Sequence, residues 1–130
     1  MAKWCDEGEY RVADILFGAQ AVDTNTYLGL YLDVAEPAEA ATLSGLSEVS
    51  GSGYARIALA RGTWSISGDY ATYAQQTFTA GAAWGEVYGY FLGTTLDNTG
   101  KLLCVENFSD SPYDVGTGDS VKITPKITVA

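Results

Sequence analysis

Tyr27-Leu28-Gly29-Leu30-Tyr31-Leu32 alternates leucine with tyrosine and glycine. A period of two sends successive side chains to opposite faces, so the run reads as a half-buried strand with its leucines inward. The same alternation recurs on the C-terminal side. Ala55, Ile57 and Leu59 alternate with Tyr54, Arg56 and Ala58; Trp64 and Ile66 open a short strand, and Gln76, Phe78 and Thr79 mark another. Trp84 to Leu92, rich in Val, Tyr and Phe, is the most strand-like segment of the chain. Leu102 to Phe108 follows the turn cluster Asp97-Asn98-Thr99-Gly100. In the last run Val121, Ile123, Ile127 and Val129 alternate with polar residues, and Pro125 withholds a backbone donor, which puts that strand at an edge or interrupts it.

About seven short strands at spacings near ten residues, with Gly and Asn/Asp turns between them, imply an all-β, antiparallel β-sandwich or barrel-like domain. The chain of 130 residues is the length of one such domain, residues 1–130, and can bury a core without metals or disulfides. It contains no repeat of solenoid or propeller length.

Two segments depart from this pattern. Asp6 to Phe17 reads as a helix: Asp6 can cap it, with Glu9 completing a capping box, and Gly18 stops it. Tyr10, Ala13, Leu16 and Phe17 form its apolar face, which is the face expected to pack inward or to meet another subunit. Asp33 to Ser52 carries Pro37, Gly45, Gly51 and an acidic patch at Glu36 and Glu39. It reads as a long irregular connection with a short helical turn around Pro37 to Thr42.

Composition excludes most chemistries. Sixteen acidic against seven basic residues give a net charge of -9, which disfavours nucleic acid and anionic membrane surfaces as partners. Histidine is absent, which removes histidine triads, histidine metal sites and histidine pH switches. Cys5 and Cys104 form no C-x-x-C pair and read as two reduced, partly buried thiols, although a disulfide between them is geometrically conceivable. The N-terminal residues lack the apolar run of a signal peptide, and no stretch reaches the roughly 20 apolar residues of a membrane span, so synthesis in a cytoplasm is expected.

Paired carboxylates are the catalytic option left open, with Glu86 and Glu106 as the pair that could converge for a glycosidase-type hydrolysis. Solvent-facing positions on a half-wet sheet are the favoured reading of both. Asp97-Asn98-Thr99-Gly100 lacks the spacing and the bidentate Glu of a calcium loop and reads as a plain turn. No nucleophile elbow, S-x-x-K pair or phosphate-binding glycine loop occurs. No catalytic residue, metal or cofactor is therefore expected. Nine tyrosines and three tryptophans are a large aromatic stock, suited to a protein interface or to stacking on a glycan. Arg56, a cation inside an apolar run, can pair with a carboxylate within the fold or across an interface.

Tyr27-Leu28-Gly29-Leu30-Tyr31-Leu32, then Leu43 through Glu48-Val49, Gly51-Ser52-Gly53-Tyr54-Ala55-Arg56 and Trp64 follow one another in an order that resembles a family of small virion proteins of tailed bacteriophages. Phe78, Ala83-Trp84-Gly85-Glu86-Val87, Gly118-Asp119-Ser120-Val121 and the helix ending near Phe17 fit the same pattern. The resemblance implies a non-enzymatic structural protein of the virion, of the capsid cement or decoration kind. Such a protein binds the major capsid protein or other virion proteins by non-covalent contacts, often as a homo-oligomer, with a trimer favoured. A tail or baseplate adaptor, a fibre-attachment protein and a carbohydrate-binding module are the alternatives. The candidate interface residues are Tyr10, Phe17, Tyr27, Tyr31, Tyr54 and Arg56.

Overall fold

The computed structural model describes residues 2–129, and they are mostly β with one helix near the start. In chain order come β1 (Lys3–Trp4), α1 (Asp6–Phe17), β2 (Asn25–Tyr31), β3 (Ile57–Ala60), β4 (Ser65–Ser67), β5 (Tyr70–Thr72) and β6 (Gln76–Thr79). Then follow β7 (Gly85–Val87), β8 (Gly89–Gly93), β9 (Leu102–Asn107), β10 (Tyr113–Val115), β11 (Ser120–Ile123) and β12 (Lys126–Thr128). All the ladders are antiparallel. A five-stranded sheet runs β1-β9-β8-β2-β3, a three-stranded sheet runs β12-β5-β4, and β10 with β7 and β11 with β6 form two-stranded ribbons.

The five-stranded sheet is buried on both faces, and this corrects the half-buried reading of the YLGLYL run. Leu28, Leu30, Tyr90, Leu92 and Cys104 join the larger apolar cluster with residues of the smaller sheets, such as Phe78, Val87, Val121 and Ile127. Tyr31, Phe91, Leu102 and Val105 form a second cluster with Cys5 and Leu43. Tyr31 is thus fully buried, where an outward aromatic was expected. The second layer comes from α1 and from the segment between β2 and β3.

That segment is tied down along its length. Its Asp33 Oδ2 accepts from the Ser47 N–H at 3.0 Å, and Glu36 Oε2 accepts from the Asn107 N–H at 3.1 Å. Leu32 N donates to Ser47 O at 2.7 Å and Val49 N to Leu30 O at 3.0 Å, so residues 47–49 extend the sheet where β3 stops. The expected turn around Pro37 to Thr42 is limited to an Ala41 N to Ala38 O bond, and the 3₁₀ turn lies at Leu43–Gly45. Leu43 and Val49 are buried, which is the apolar payload that made this connection settle.

Helix α1 has the expected bounds but a different start and a different rotation. Its N-cap is Cys5, with no side-chain cap bond, so the Asp6–Glu9 capping box does not form. The Asp6 N–H is satisfied instead by Glu39 O at 2.8 Å, and the Glu9 N–H by Cys5 O at 3.0 Å. Glu7 Oε1 accepts from Leu43 N and from Leu102 N, each at 3.1 Å, which ties the helix to the connecting segment and to β9. Gly8 is the buried helix residue, and an added Cβ there would overlap the Leu103 backbone. Of the two roles expected for the apolar face, packing inward is not the one taken: Tyr10, Leu16 and Phe17 point outward with 70, 67 and 89% exposure.

One strand expected as a single run is divided, and the last run takes the interruption that Pro125 allowed. Trp84 to Leu92 splits into β7 and β8, which lie in different sheets on either side of Tyr88. The last run is interrupted at Pro125, with β11 paired to β6 and β12 to β5. Cys5 and Cys104 are both free and buried. Burial pushes the Cys5 thiol up to about 11 and raises that of Cys104 as well, so both stay protonated and unreactive at neutral pH.

The fit at Gly8 makes a test of opposite signs. Alanine in place of glycine within a helix ordinarily stabilises by about 1 kcal/mol. Here the Cβ must displace β9, so urea unfolding of Gly8→Ala is expected to show a loss of about 1–3 kcal/mol. A gain in stability would contradict the packing.

Candidate functional site

The outward side of α1 faces the C-terminal strand across an apolar groove. Trp4, Val12, Ala13, Leu16, Phe17 and Val129 line it, with Glu9 as its charged rim, and it encloses about 350 Å³. Local chemistry builds each wall. Gly8 draws the inner side of the helix onto β9, which leaves the other side without a neighbour. Trp4 is fixed from the opposite wall by its indole N–H, which donates to Thr128 O at 2.7 Å. Val129 N donates to Asp69 O at 2.7 Å and holds the end of the chain beside the helix, with the Val129 side chain 65% exposed. Arg11 forms a two-pronged pair with Asp23 on the far flank of the helix.

The sequence-derived interface residues divide into three groups. Tyr10 and Phe17 are exposed on α1, near Leu16, whose exposure was not anticipated as a site feature. Tyr27 is half-buried on β2 opposite Ala58 and Gly93. Tyr31, Tyr54 and Arg56 serve the interior, and as surface contacts Tyr31 and Arg56 are corrected here.

Arg56 is 8% exposed, and its five N–H donors all meet acceptors. Nε and Nη2 grip Glu48 Oε2 and Oε1 at 2.8 and 2.6 Å. Nη1 reaches Thr95 O at 2.9 Å and also Asp97 O, while Nη2 meets Asn98 Oδ1 at 2.6 Å. The guanidinium carbon lies 5.1 Å from the Phe91 ring centroid. Tyr54 completes the cluster: its hydroxyl donates to Glu48 Oε2 at 2.6 Å and accepts from Leu30 N at 3.0 Å. Its ring stacks on Phe78 and meets Trp84 edge-on at 5.5 Å. The arginine therefore clasps the 95–98 turn to the sheet, which is the within-fold pairing open to it from sequence.

The residues weighed for catalysis do not converge. Glu86 lies on β7 opposite Asp114, and Glu106 on β9 opposite Tyr90, in different sheets. Glu86 Oε2 accepts from Tyr88 at 3.2 Å and Glu106 Oε1 from Tyr90 at 2.6 Å. In the 97–100 turn, Asp97 Oδ1 caps the Thr99 N–H and hydroxyl at 2.9 and 2.6 Å. Among the described residues no group of three or more Cys, Asp or Glu side chains gathers as metal ligands. Among the described residues no helix is long and apolar enough to cross a membrane.

Residues 3–129 match the model of a family described as Podophage GP4 fiber I protein gp80. The chain belongs to this phage fibre family. It is a structural protein of the phage virion, and the virion is its location. Membership also implies contact with other virion proteins. No curated protein matches the chain. Large exposed apolar side chains mark interaction sites, and Leu16, Phe17 and Val129 on the groove along α1 are such side chains.

The Arg56 clasp predicts a cost in the isolated chain. Removing one partner of a buried, fully bonded ion pair costs about 3 kcal/mol or more. Arg56→Ala is expected to lose that much in chemical denaturation. A change within about 0.5 kcal/mol, the usual range for a surface position, would return Arg56 to the list of external contacts.

Proposed function

We propose that the chain is a non-enzymatic component of the tail fibre that docks onto another virion protein through the apolar side of α1. The observation carrying this reading is the exposure of Leu16, Phe17 and Tyr10 beside Val129, on a helix whose opposite side is already committed to β9. Large apolar side chains left this open on a well-packed fold mark an interaction site. Among the groove's lining residues Glu9 alone is ionisable, so closing a partner over it desolvates little charge. Burying Leu16 and Phe17 would contribute about 2 kcal/mol each.

The net charge of -9 opposes close approach of identical copies and favours a partner with a basic surface around an apolar knob. The capsid-cement reading uses the same adhesive face, with the major capsid protein as the partner. The family's description as a fibre protein favours the tail. A trimeric state, implied by the phage resemblance, is compatible with either location and belongs to the same proposal.

Leu16→Gln and Phe17→Gln keep a helix-compatible residue at exposed positions, so unfolding free energy is expected to stay within about 0.5 kcal/mol. Incorporation into particles, read by quantitative mass spectrometry of purified virions, is expected to fall by about tenfold or more for the double variant. Normal incorporation of a normally folded double variant would contradict the docking reading. In wild-type particles, a copy number in the tens or fewer supports the fibre, and one in the hundreds supports cement.

A further inference from the structure

A second cavity, also of about 350 Å³, opens at the end of β9 against the end of β11, and it shares no lining residue with the groove along α1. Its character is different, because a carboxylate, an amide, hydroxyls and an ammonium line it together with Ile123 and aromatic rings, whereas Glu9 is the one polar side chain on the groove along α1 apart from the Trp4 indole. We propose that this cavity is a binding site for a saccharide unit.

Two buried tyrosines hold the recognising groups in place from below. Tyr90, 4% exposed, donates its hydroxyl to Glu106 Oε1 at 2.6 Å, and Tyr31, fully buried, donates to Asn107 Oδ1. Burial raises both phenols, so each remains a donor throughout the physiological range. Consecutive polar side chains at a strand end are thereby fixed in rotamer by the core itself. Gly89 permits this, since an added Cβ there would overlap the Tyr31 hydroxyl and the Glu106 carbonyl. Such support under exposed polar groups is what distinguishes a preorganised binding wall from solvated surface.

Lys122, on β11, also lines the cavity. Among the described residues its ammonium takes part in no ion pair, as is also true of Arg61 and of Lys126, which lies over the Tyr70 ring, whereas Lys3, Arg11, Arg56 and Lys101 are each paired to a carboxylate. Phe108 and Tyr113 complete the cavity as a stacked pair, ring centroids 4.5 Å apart. A carboxylate acceptor, an amide, an ammonium donor and aromatic surface match the needs of a pyranose, which presents adjacent hydroxyls around its edge and C–H groups on its face. The volume lies at the lower end of the roughly 300–1,000 Å³ range of small-ligand sites, which suits one or two sugar rings. Glu106 on the wall disfavours phosphate.

The test is a titration of the isotope-labelled full chain, followed by amide chemical shifts. The probes are methyl glycosides: neutral hexosides, an N-acetylhexosaminide and a hexuronide. At least one probe is expected to move the resonances of Glu106, Asn107 and Lys122 while those of α1 stay in place. Glu106→Gln, which keeps the acceptor for Tyr90, and Lys122→Ala, at an exposed position, are each expected to weaken that binding about tenfold. If no probe moves these resonances, or if both variants respond like the parent chain, the site is not a saccharide site.

Discussion

Burial of the five-stranded sheet on both of its faces is the constraint that organises this molecule. A sheet buried on one face can leave the other to water, but Tyr31, Phe91, Leu102 and Val105 need a cover of their own. The cover is α1 together with the segment between β2 and β3, pinned by Glu7, Asp33 and Glu36 to backbone N–H groups. Close approach at Gly8 then sets which side of the helix meets β9. The remaining side carries Tyr10, Leu16 and Phe17 into solvent, and the adhesive face is the consequence of covering the sheet.

Much of the fold was legible in the residues because its signals are local. The helix from Asp6 to Phe17 follows from its apolar spacing and the stop at Gly18, and Pro125 marks the break in the last run by its missing donor. The rotation of the helix was not legible. Apolar periodicity counts Tyr10, Leu16 and Phe17 and gives no weight to a glycine, yet the absent side chain at residue 8 decides the contact. Alternation through Trp84 to Leu92 likewise continues without a mark where the chain leaves one sheet for another at Tyr88. Tyr31 was misread because strand alternation identifies two faces but not whether a second layer covers the polar-looking one.

The candidate sites show the same division. Phe17 and Tyr10 could be named from sequence as aromatic residues on a short helix. Leu16 and Val129 could not, since their exposure depends on where the helix rests. Nor could the pairing of Tyr31 with Asn107 and of Tyr90 with Glu106, which are set by register across β2, β8 and β9. Acidic residues serve repeatedly as acceptors for backbone and phenol donors here, so the excess of carboxylates is partly structural as well as a surface charge. Among the described residues nine carboxylates hold such bonds within the fold (Glu7, Asp33, Glu36, Glu48, Glu86, Asp97, Glu106, Asp110 and Asp119).

The central claim is that the side of α1 turned away from β9 is covered by another protein in the particle. A photo-crosslinking phenylalanine analogue placed at position 17 of the chain, activated in intact virions, reads that contact directly. The account predicts a covalent adduct between this chain and a different virion protein, formed in assembled particles and absent from the purified chain. Activation that yields only unlinked chain, with the analogue still open to water in the assembled particle, would contradict it.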